Sequence, residues 1–533
     1  MTATRAAAAL AAGVAAAAIL VSGGSPADPK TPAGLPGLPA PFLGTAVAGS
    51  GGLTAAIDSY GSVVDLRPSG PAGESAIAYS SALQAAGTVP ADTGIVIRAG
   101  AGSAAQPLWR ADRVRQSYLP GANVVRTTAR VGGATVTILD AAAPNRPALV
   151  RSLSVEAAPG APVSVSASVN LIGAGERSCL GTPSARRARE GEALRHTWRS
   201  KGSLRVELIC AFGRRPPGSG AIQRAAAADH HWLSGARPLG AAAPAWARRL
   251  YRRSLLVLRA LTDPDSGATA AGAREGWAYV WPRDAGAAAI ALARSGYRRE
   301  ARRIARFLLA LDLDAGARFD GEGAAVDDGR PLQGDARGWV AAAAAAGGLP
   351  APEPAGRGWR RRGDYGERSG DRGDYLANAI AAGASAATIR AAFGAGPVLV
   401  REAGKPGSAL DTAVAWAVRP FPAPALAERV QATLGRLLAT RGRFGIRPAT
   451  DWPGAEPWSA PTAWVAWGLA ALGERRGALA LLRALRRAAT PAGSLPERVD
   501  RESGVAVSTA PLAWSHAFAV LALRELWPMG PGN

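Results

Sequence analysis

Tyr279-Val280-Trp281-Pro282-Arg283-Asp284 is the stretch on which the reading of this chain turns. Aromatic and apolar residues lead into a proline, then a cation beside a carboxylate, then an alanine-rich run from Ala285. Proline suits the first turn of a helix, where its missing N–H is not needed. Arg283 and Asp284 are therefore expected at a helix mouth beside a Trp face. One reading is an Arg–Asp ion pair capping that helix, which is worth little at a surface. The other is a set of hydrogen-bond donors and acceptors beside a flat apolar ring, a combination that suits a sugar.

Downstream, and just upstream, the pattern is helical. Glycine-marked turns separate apolar stripes at helical spacing, with Ala301, Ile304, Ala305 and Leu308 on one face of Arg298–Leu311. Further segments are predicted at Trp246–Leu261, Ala285–Arg294, Asp335–Ala346, Tyr375–Ala382, Ala384–Phe393, Leu410–Val418 and Ala425–Leu438. Thr462–Leu472, Ala478–Ala488 and Leu512–Leu526 complete eleven. Helical hairpins without a fixed-length repeat point to a closed toroid rather than a solenoid. Loops between hairpins then converge on one end, where function is expected.

Residues 42 to about 214 read differently. Val163, Val165, Ala167 and Val169 alternate with Ser164, Ser166 and Ser168. Val124–Arg130 and Thr135–Leu139 flank Gly132-Gly133, a hairpin signature, and Leu204–Cys210 reads as another strand. Many short strands punctuated by Gly and Pro predict an antiparallel sandwich. The expected organisation is a signal peptide at 1–27, a Pro/Gly-rich linker at 28–41, a β-sandwich at 42–235 and an all-α unit at 236–533. The signal reading rests on Arg5, an apolar run from Ala6 to Val21 and the small residues Ser25 and Ala27. It implies a secreted or envelope-associated protein. The run is short and alanine-rich for a membrane span, and no other stretch reads as one.

The chain has 533 residues, 48% hydrophobic and 19% charged, with a net charge of +22. That describes a globular protein of two or three domains. Lys occurs only at Lys30, Lys201 and Lys405, so arginine carries nearly all the positive charge. The arginines are scattered, with no nucleic-acid-binding pattern, so no nucleic-acid partner is expected. A loose affinity for acidic cell-surface polymers is compatible with them. Cys179 and Cys210 either pair in an oxidising compartment or remain two buried thiols.

Three loops of the helical half concentrate polar residues: the opening stretch, Gly363-Asp364-Tyr365-Gly366-Glu367-Arg368, and Gly493 to Asp500 followed by Pro511 to Ala517. Two carboxylates on separate loops, Glu367 and Glu497, are what glycoside hydrolysis requires. One protonates the leaving oxygen while the other activates water or attacks the anomeric carbon. Asp312, Asp314, Asp327 and Asp328 lack calcium-loop spacing, and no metal or other cofactor is expected. Adjacent Ser515 and His516 diverge on a helix and form no triad, and His516 reads as a packed histidine.

These motifs resemble family 15 glycoside hydrolases, the glucoamylase and glucodextranase group. Tyr279 to Asp284 is similar to that family's first barrel loop. Leu495-Pro496-Glu497, Gly504 and Pro511-Leu512-Ala513-Trp514-Ser515-His516-Ala517 resemble its last, and Asp364-Tyr365-Gly366-Glu367 resembles its central Asp-Tyr-Trp-Glu motif. Phe42-Leu43-Gly44, Tyr118-Leu119-Pro120 and Arg151 resemble the N-terminal sandwich of bacterial members. The resemblance implies a β-sandwich followed by an (α/α)6 barrel that cleaves α-glucosidic bonds with inversion. Glu367 would be the general acid and Glu497 the general base. Arg283 and Asp284 would hold hydroxyls of the terminal glucose, and Tyr279, Trp281 and Trp339 would supply ring faces. Two positions depart from the pattern. Arg498 replaces Gln, and Gly366 replaces a Trp, which removes a wall that would desolvate the acid unless Trp359 or Tyr365 fills the space. The partner implied is an oligo- or polysaccharide, with dextrin, isomalto-oligosaccharide and trehalose all open. A non-catalytic glycan-binding protein on the same scaffold is the alternative, whereas a phosphorylase lacks the glycine-rich anion loop it would need.

Overall fold

The computed structural model describes residues 45–529, apart from 51, 78–93, 145, 170, 172–177, 191–192, 214–215, 275, 353–357 and 368–371. The expected signal and linker lie outside the described residues. Strands fill the first part. Ala46–Ser50 (β1), Leu53–Ile57 (β2) and Val63–Arg67 (β3) form a three-stranded antiparallel sheet. A five-stranded sheet contains Ile95–Ala99 (β4), Gln106–Pro107 (β5), Pro162–Val169 (β10), Arg186–Glu190 (β12) and Ala193–Lys201 (β13), in the order β12-β13-β10-β4-β5. A six-stranded sheet contains Asp112–Tyr118 (β6), Val125–Val131 (β7), Ala134–Ala142 (β8), Ala148–Glu156 (β9), Ser178–Thr182 (β11) and Leu204–Ala211 (β14), in the order β11-β14-β9-β8-β7-β6.

The larger sheets share one core, and β10 shows the expected alternation, with Val163, Val165, Ala167 and Val169 buried, although Ser168 is buried too. In β7, Val125, Thr127, Ala129 and Val131 are buried. Its hairpin to β8 turns on Gly132 and Gly133 at φ 53° and 83°, the left-handed geometry that such a two-residue turn requires. Cys179 and Cys210 face each other across β11 and β14 and are disulfide-bonded. The small sheet is buried on both faces. Ala46, Ala55 and Ile57 join the sandwich core, while Val47, Ala56 and Val64 join that of the helical part.

Helix Ala221–Ser234 (α1) was not expected from sequence; it packs on β8 and β9 through Ala221, Ile222 and Ala225. Then come Ala245–Ala260 (α2), Pro282–Arg294 (α3), Arg298–Leu309 (α4), Ala336–Gly347 (α5), Leu376–Ala381 (α6), Ala386–Phe393 (α7), the 3-10 helix Thr412–Ala417, Ala427–Ala439 (α8), Ser459–Ala471 (α9), Arg475–Ala488 (α10) and Ala513–Leu526 (α11). Contacts close α3, α5, α6, the 3-10 helix, α9 and α11 into a ring of six. Amphipathic helices α2, α4, α7, α8 and α10 alternate with them along the chain and lie outside. Between α5 and α6 the described part of 348–375 contains no helix. This is the expected (α/α)6 barrel with one outer position left without a helix among the described residues.

The ring members are buried nearly all round, as in α3 and α9, where small residues such as Ala285, Ala288 and Gly468 permit close approach. Rings at the centre interlock. Trp339 meets Trp416 at 5.2 Å and Phe518 at 5.7 Å, and Trp464 meets Trp416 at 5.3 Å and Trp514 at 5.5 Å, all edge-on. Such edge-on pairs contribute about 0.5–1.5 kcal/mol each beyond area burial. Inner and outer helices alternate, so every inner element begins at the same end of the barrel.

Candidate active site

At that end, Trp281 precedes α3 with extended backbone and Pro282 occupies its first turn, as the opening motif predicts. Arg283 and Asp284 are both buried. The guanidinium does not cap α3 against its neighbour. Its Nη1 donates to Asp335 Oδ2 at 3.0 Å and to Gln333 Oε1 at 2.6 Å, while its Nε lies 3.8 Å from Asp284 Oδ2. It also stacks over Trp514, 4.8 Å from the ring centroid. Desolvation, together with the charges of Glu367, Glu497 and Asp335, raises the Asp284 carboxyl to about 7 against the pull of Arg283. The same guanidinium lies 3.9 Å from Glu367, so Asp284 and Glu367 flank one cation.

Glu367 stands in a loop stitched to neighbouring elements. Gly363 N donates to Leu332 O at 2.9 Å, Gly334 N to Gly363 O at 3.2 Å and Glu367 N to Asp364 O at 3.1 Å. Asn378 of α6 donates to Gly363 O at 2.9 Å. Beneath the loop, buried Arg401 pairs with Asp364 and stands 3.8 Å from Asp411, which accepts from Tyr365 Oη at 2.7 Å. Glu367 itself adopts φ 50°, sparsely populated for a residue with a side chain and costing about 1–3 kcal/mol. The surrounding network holds it there.

The Glu367 side chain is 19% exposed. Its Oε1 accepts from Trp281 Nε1 and Gln333 Nε2, both at 2.5 Å, while Oε2 faces Arg330 Nε at 3.4 Å. Desolvation raises its pKa, opposed by Arg283, Arg330 and the two donors. Glu497 comes from the loop between α10 and α11. Its backbone is clamped between Ser459 N, which donates to its carbonyl at 2.8 Å, and Thr509 O, which accepts from its N at 2.9 Å. Its carboxylate accepts from Ser508 Oγ and, at 3.4 Å, from Trp277 Nε1, with Arg498 4.0 Å away. Each glutamate thus has its own indole donor.

The loops bring Trp281, Arg283, Asp284, Glu367 and Glu497 together. Tyr279 is nearby and half-buried, with the Arg318 guanidinium 4.2 Å over its ring. Trp339, expected to offer a ring face, has no exposed surface, because its place one turn inside α5 points it into the aromatic core. Nor do Trp359 or Tyr365 fill the space beside Gly366. Trp359 packs toward Phe393, and Tyr365 packs on Trp416 and Trp464. Trp452 fills it instead, and a Cβ at Gly366 would meet that ring at 2.9 Å. Sequence reasoning also passed over Gln333, Arg330, Trp277 and Ser508. Trp277 and Ser508 lay within or beside motifs already singled out, whereas nothing in sequence marked Gln333 or Arg330. His516 is packed as expected, accepting from Leu495 N at 2.9 Å and facing Ser254 Oγ at 2.9 Å, with burial pushing its pKa down to about 3. Among the described residues no cluster of three or more His, Cys, Asp or Glu is placed to hold a metal ion, and no helix is long and apolar enough to cross a membrane.

A sandwich followed by a six-hairpin barrel, with carboxylates at the mouths of the inner helices, is the glucoamylase-like fold. A bacterial glucoamylase solved with acarbose superposes with a TM-score of 0.67 over 91% of this chain and 94% of its own, at 12% identity. A glycosidase covers 56% of this chain and 98% of its own at 21% identity and a TM-score of 0.45. The Saccharomycopsis fibuligera glucoamylase covers 53% of this chain and 94% of its own at 13% identity and a TM-score of 0.42. No protein-family model and no curated protein matches the sequence.

Proposed function

We propose that this protein is a secreted, exo-acting glycoside hydrolase that releases glucose from α-glucosides with inversion. The carrying observation is the pair Glu367 and Glu497, brought from separate loops and each held by an indole N–H of the Trp277–Trp281 segment, with Arg283 standing 3.8 Å from Asp284 and 3.9 Å from Glu367. Glu367 has the environment of a general acid, since desolvation favours its protonated form. It would protonate the glycosidic oxygen as the bond to the anomeric carbon breaks. Glu497, held by a hydroxyl and an indole N–H, would take a proton from the water that attacks the opposite face. Inverting sites separate these carboxyls by about 6.5–9.5 Å to admit that water. Arg283 and Asp284 would grip hydroxyls of the terminal glucose, with the edge of Trp281 beside them. The disulfide supports an oxidising destination.

The test is to incubate the purified protein with maltose, isomaltose, trehalose and dextrin and assay free glucose. Proton NMR of the first product should show the β-anomer. Early accumulation of the α-anomer rules out inversion. No release from any of the four favours the second reading, a non-catalytic glycan-binding protein, which the ion pairing of Glu367 with Arg330 also fits.

A further inference from the structure

Gly366 needs a reason to be glycine, and its backbone does not supply one. Positive φ in this loop falls on Glu367 at 50°, not on Gly366. Its N–H donates to Asp364 Oδ1 at 3.0 Å, an interaction open to any residue but proline. What a side chain would meet first is Trp452, with Cζ3 2.9 Å and Cη2 3.2 Å from an ideal Cβ, both atoms of a rigid ring, and then Asp364 Oδ1 at 3.1 Å, the end of a side chain. Real Cβ atoms essentially never come within 3.0 Å of a neighbour. The missing side chain makes room for this indole.

Trp452 is held in place. It belongs to the loop ahead of α9, where Arg447 donates to Trp452 O at 3.1 Å and to Thr450 O at 3.0 Å. Its ring packs edge-on against Trp458 at 5.1 Å. The peptide it covers is the one leading into Glu367. Resting on the proposed assignment of Glu367 as general acid, we infer that Trp452 is a positioning residue, an indole brought from a distant loop to keep water from the acid and fix its strained backbone. Gly366 and Trp452 act as one unit, a lock whose halves are 86 residues apart in sequence.

The charged groups around Glu367 set the background for any titration. Arg283 reaches it from α3, Arg330 and Arg318 from the segment between α4 and α5, and Asp284 repels it from α3. Arg447, Asp451 and Glu456 share the loop of Trp452. Trp452→Ala removes no charge, so a shift in the acid's titration reports solvation and geometry. Letting water in lowers a carboxylic acid's pKa. A general acid works protonated, so the alkaline limb of the kcat/KM profile should move down by about one pH unit. Its kcat should drop about tenfold with KM nearly constant, and Trp452→Phe should restore most of both.

Gly366→Ala supplies the control from the other half of the lock. It displaces the ring and should reproduce the limb shift, and the double variant should be no worse than either single one. Additive losses, an unmoved limb, or a Phe variant as defective as the Ala variant would each overturn the inference. Thermal melts identify any variant that fails to fold. If the wild-type protein hydrolyses none of the four substrates, the proposed function fails on its own. The lock is then read directly by carboxyl 13C titration of glutamate-labelled protein. A lower Glu367 pKa in Trp452→Ala upholds the desolvating role, and an unchanged one refutes it.

Discussion

Arg283 turns its guanidinium toward Asp335, 52 residues along the chain, rather than toward Asp284 beside it in sequence. The first contact is 3.0 Å and the second 3.8 Å. No described side chain donates a hydrogen bond to Asp284, so its carboxyl keeps its acceptors for whatever enters the cleft. The local reading of the opening motif, an ion pair capping a helix, gives way to a cation anchored through Nη1, with Nη2 still facing Glu367, and a carboxyl left available.

Replacing Asp284 with Asn should separate function from stability. The folded carboxyl titrates near 7 and the unfolded one near 3.8, so the folded state holds more protons between those values. Its contribution is therefore full below about 3.8 and is lost, at up to about 1.4 kcal/mol per unit, as pH rises from there through 7. Asp284→Asn should raise Tm above pH 7 by about 2–4 °C. It should also lower kcat/KM about 100-fold by loosening substrate orientation. A Tm that falls at pH 8 contradicts the first part.

Glu367→Gln and Glu497→Gln should each cut kcat at least about 100-fold. Melting temperature and sugar binding, read by calorimetry, should hardly change. Full activity in Glu367→Gln removes the acid from this position.

Arg330 stands 3.4 Å from Glu367 Oε2, the oxygen left over once Trp281 and Gln333 have taken Oε1. A transferable proton belongs on Oε2, so this cation competes with it. Arg330→Gln should raise the acid's pKa and move the alkaline limb of the pH profile up by about half a unit to one unit. A downward move would mean that Arg330 does not face the working acid.

Arg401 supports the Glu367 loop from beneath through Asp364, Glu402 and Asp411. Removing one partner of a buried ion pair costs about 3–5 kcal/mol. Arg401→Met should lose about that much in urea unfolding, since Asp364 and Asp411 are then buried without it. It should also lower kcat by freeing the loop.

His516 gives a pH signature of opposite sign to that of Asp284. Burial lowers its pKa to about 3, so the unfolded chain binds the extra proton as pH falls below about 6.5. The stability from burying the neutral ring is full above 6.5. It drains at up to about 1.4 kcal/mol per unit toward pH 3. His516→Gln should flatten the stability slope between pH 6.5 and 4 by one proton, measured by urea titrations at several pH values.

Sequence pattern carried the barrel far because its signals are local. Pro282 marks the start of α3, and the stripe through Ala301, Ile304, Ala305 and Leu308 is the buried face of α4. Helix α1 escaped because its alanines follow a Gly/Pro loop and its apolar face meets a sheet rather than another helix. Asp284, Glu367 and Glu497 were legible through their motifs. Gln333 and Trp452 were not, because each acts through a contact that only folding creates. A glycine in sequence says that a side chain is absent, but not which ring moves into the space.

The alternation of inner and outer helices has an electrostatic result. All six inner elements turn their N-terminal ends, with their unpaired N–H groups and partial positive charge, toward the end of the barrel that carries the site. A sugar ring developing oxocarbenium character there would meet the wrong sign of field. Asp284 in the first turn of α3, Asp335 at the start of α5 and Asp411 at the start of the 3-10 helix each set a carboxyl against one of those ends. The helix ends draw these acids toward their charged forms, while burial pushes Asp284 and Asp411 the other way, up to about 7 and about 6.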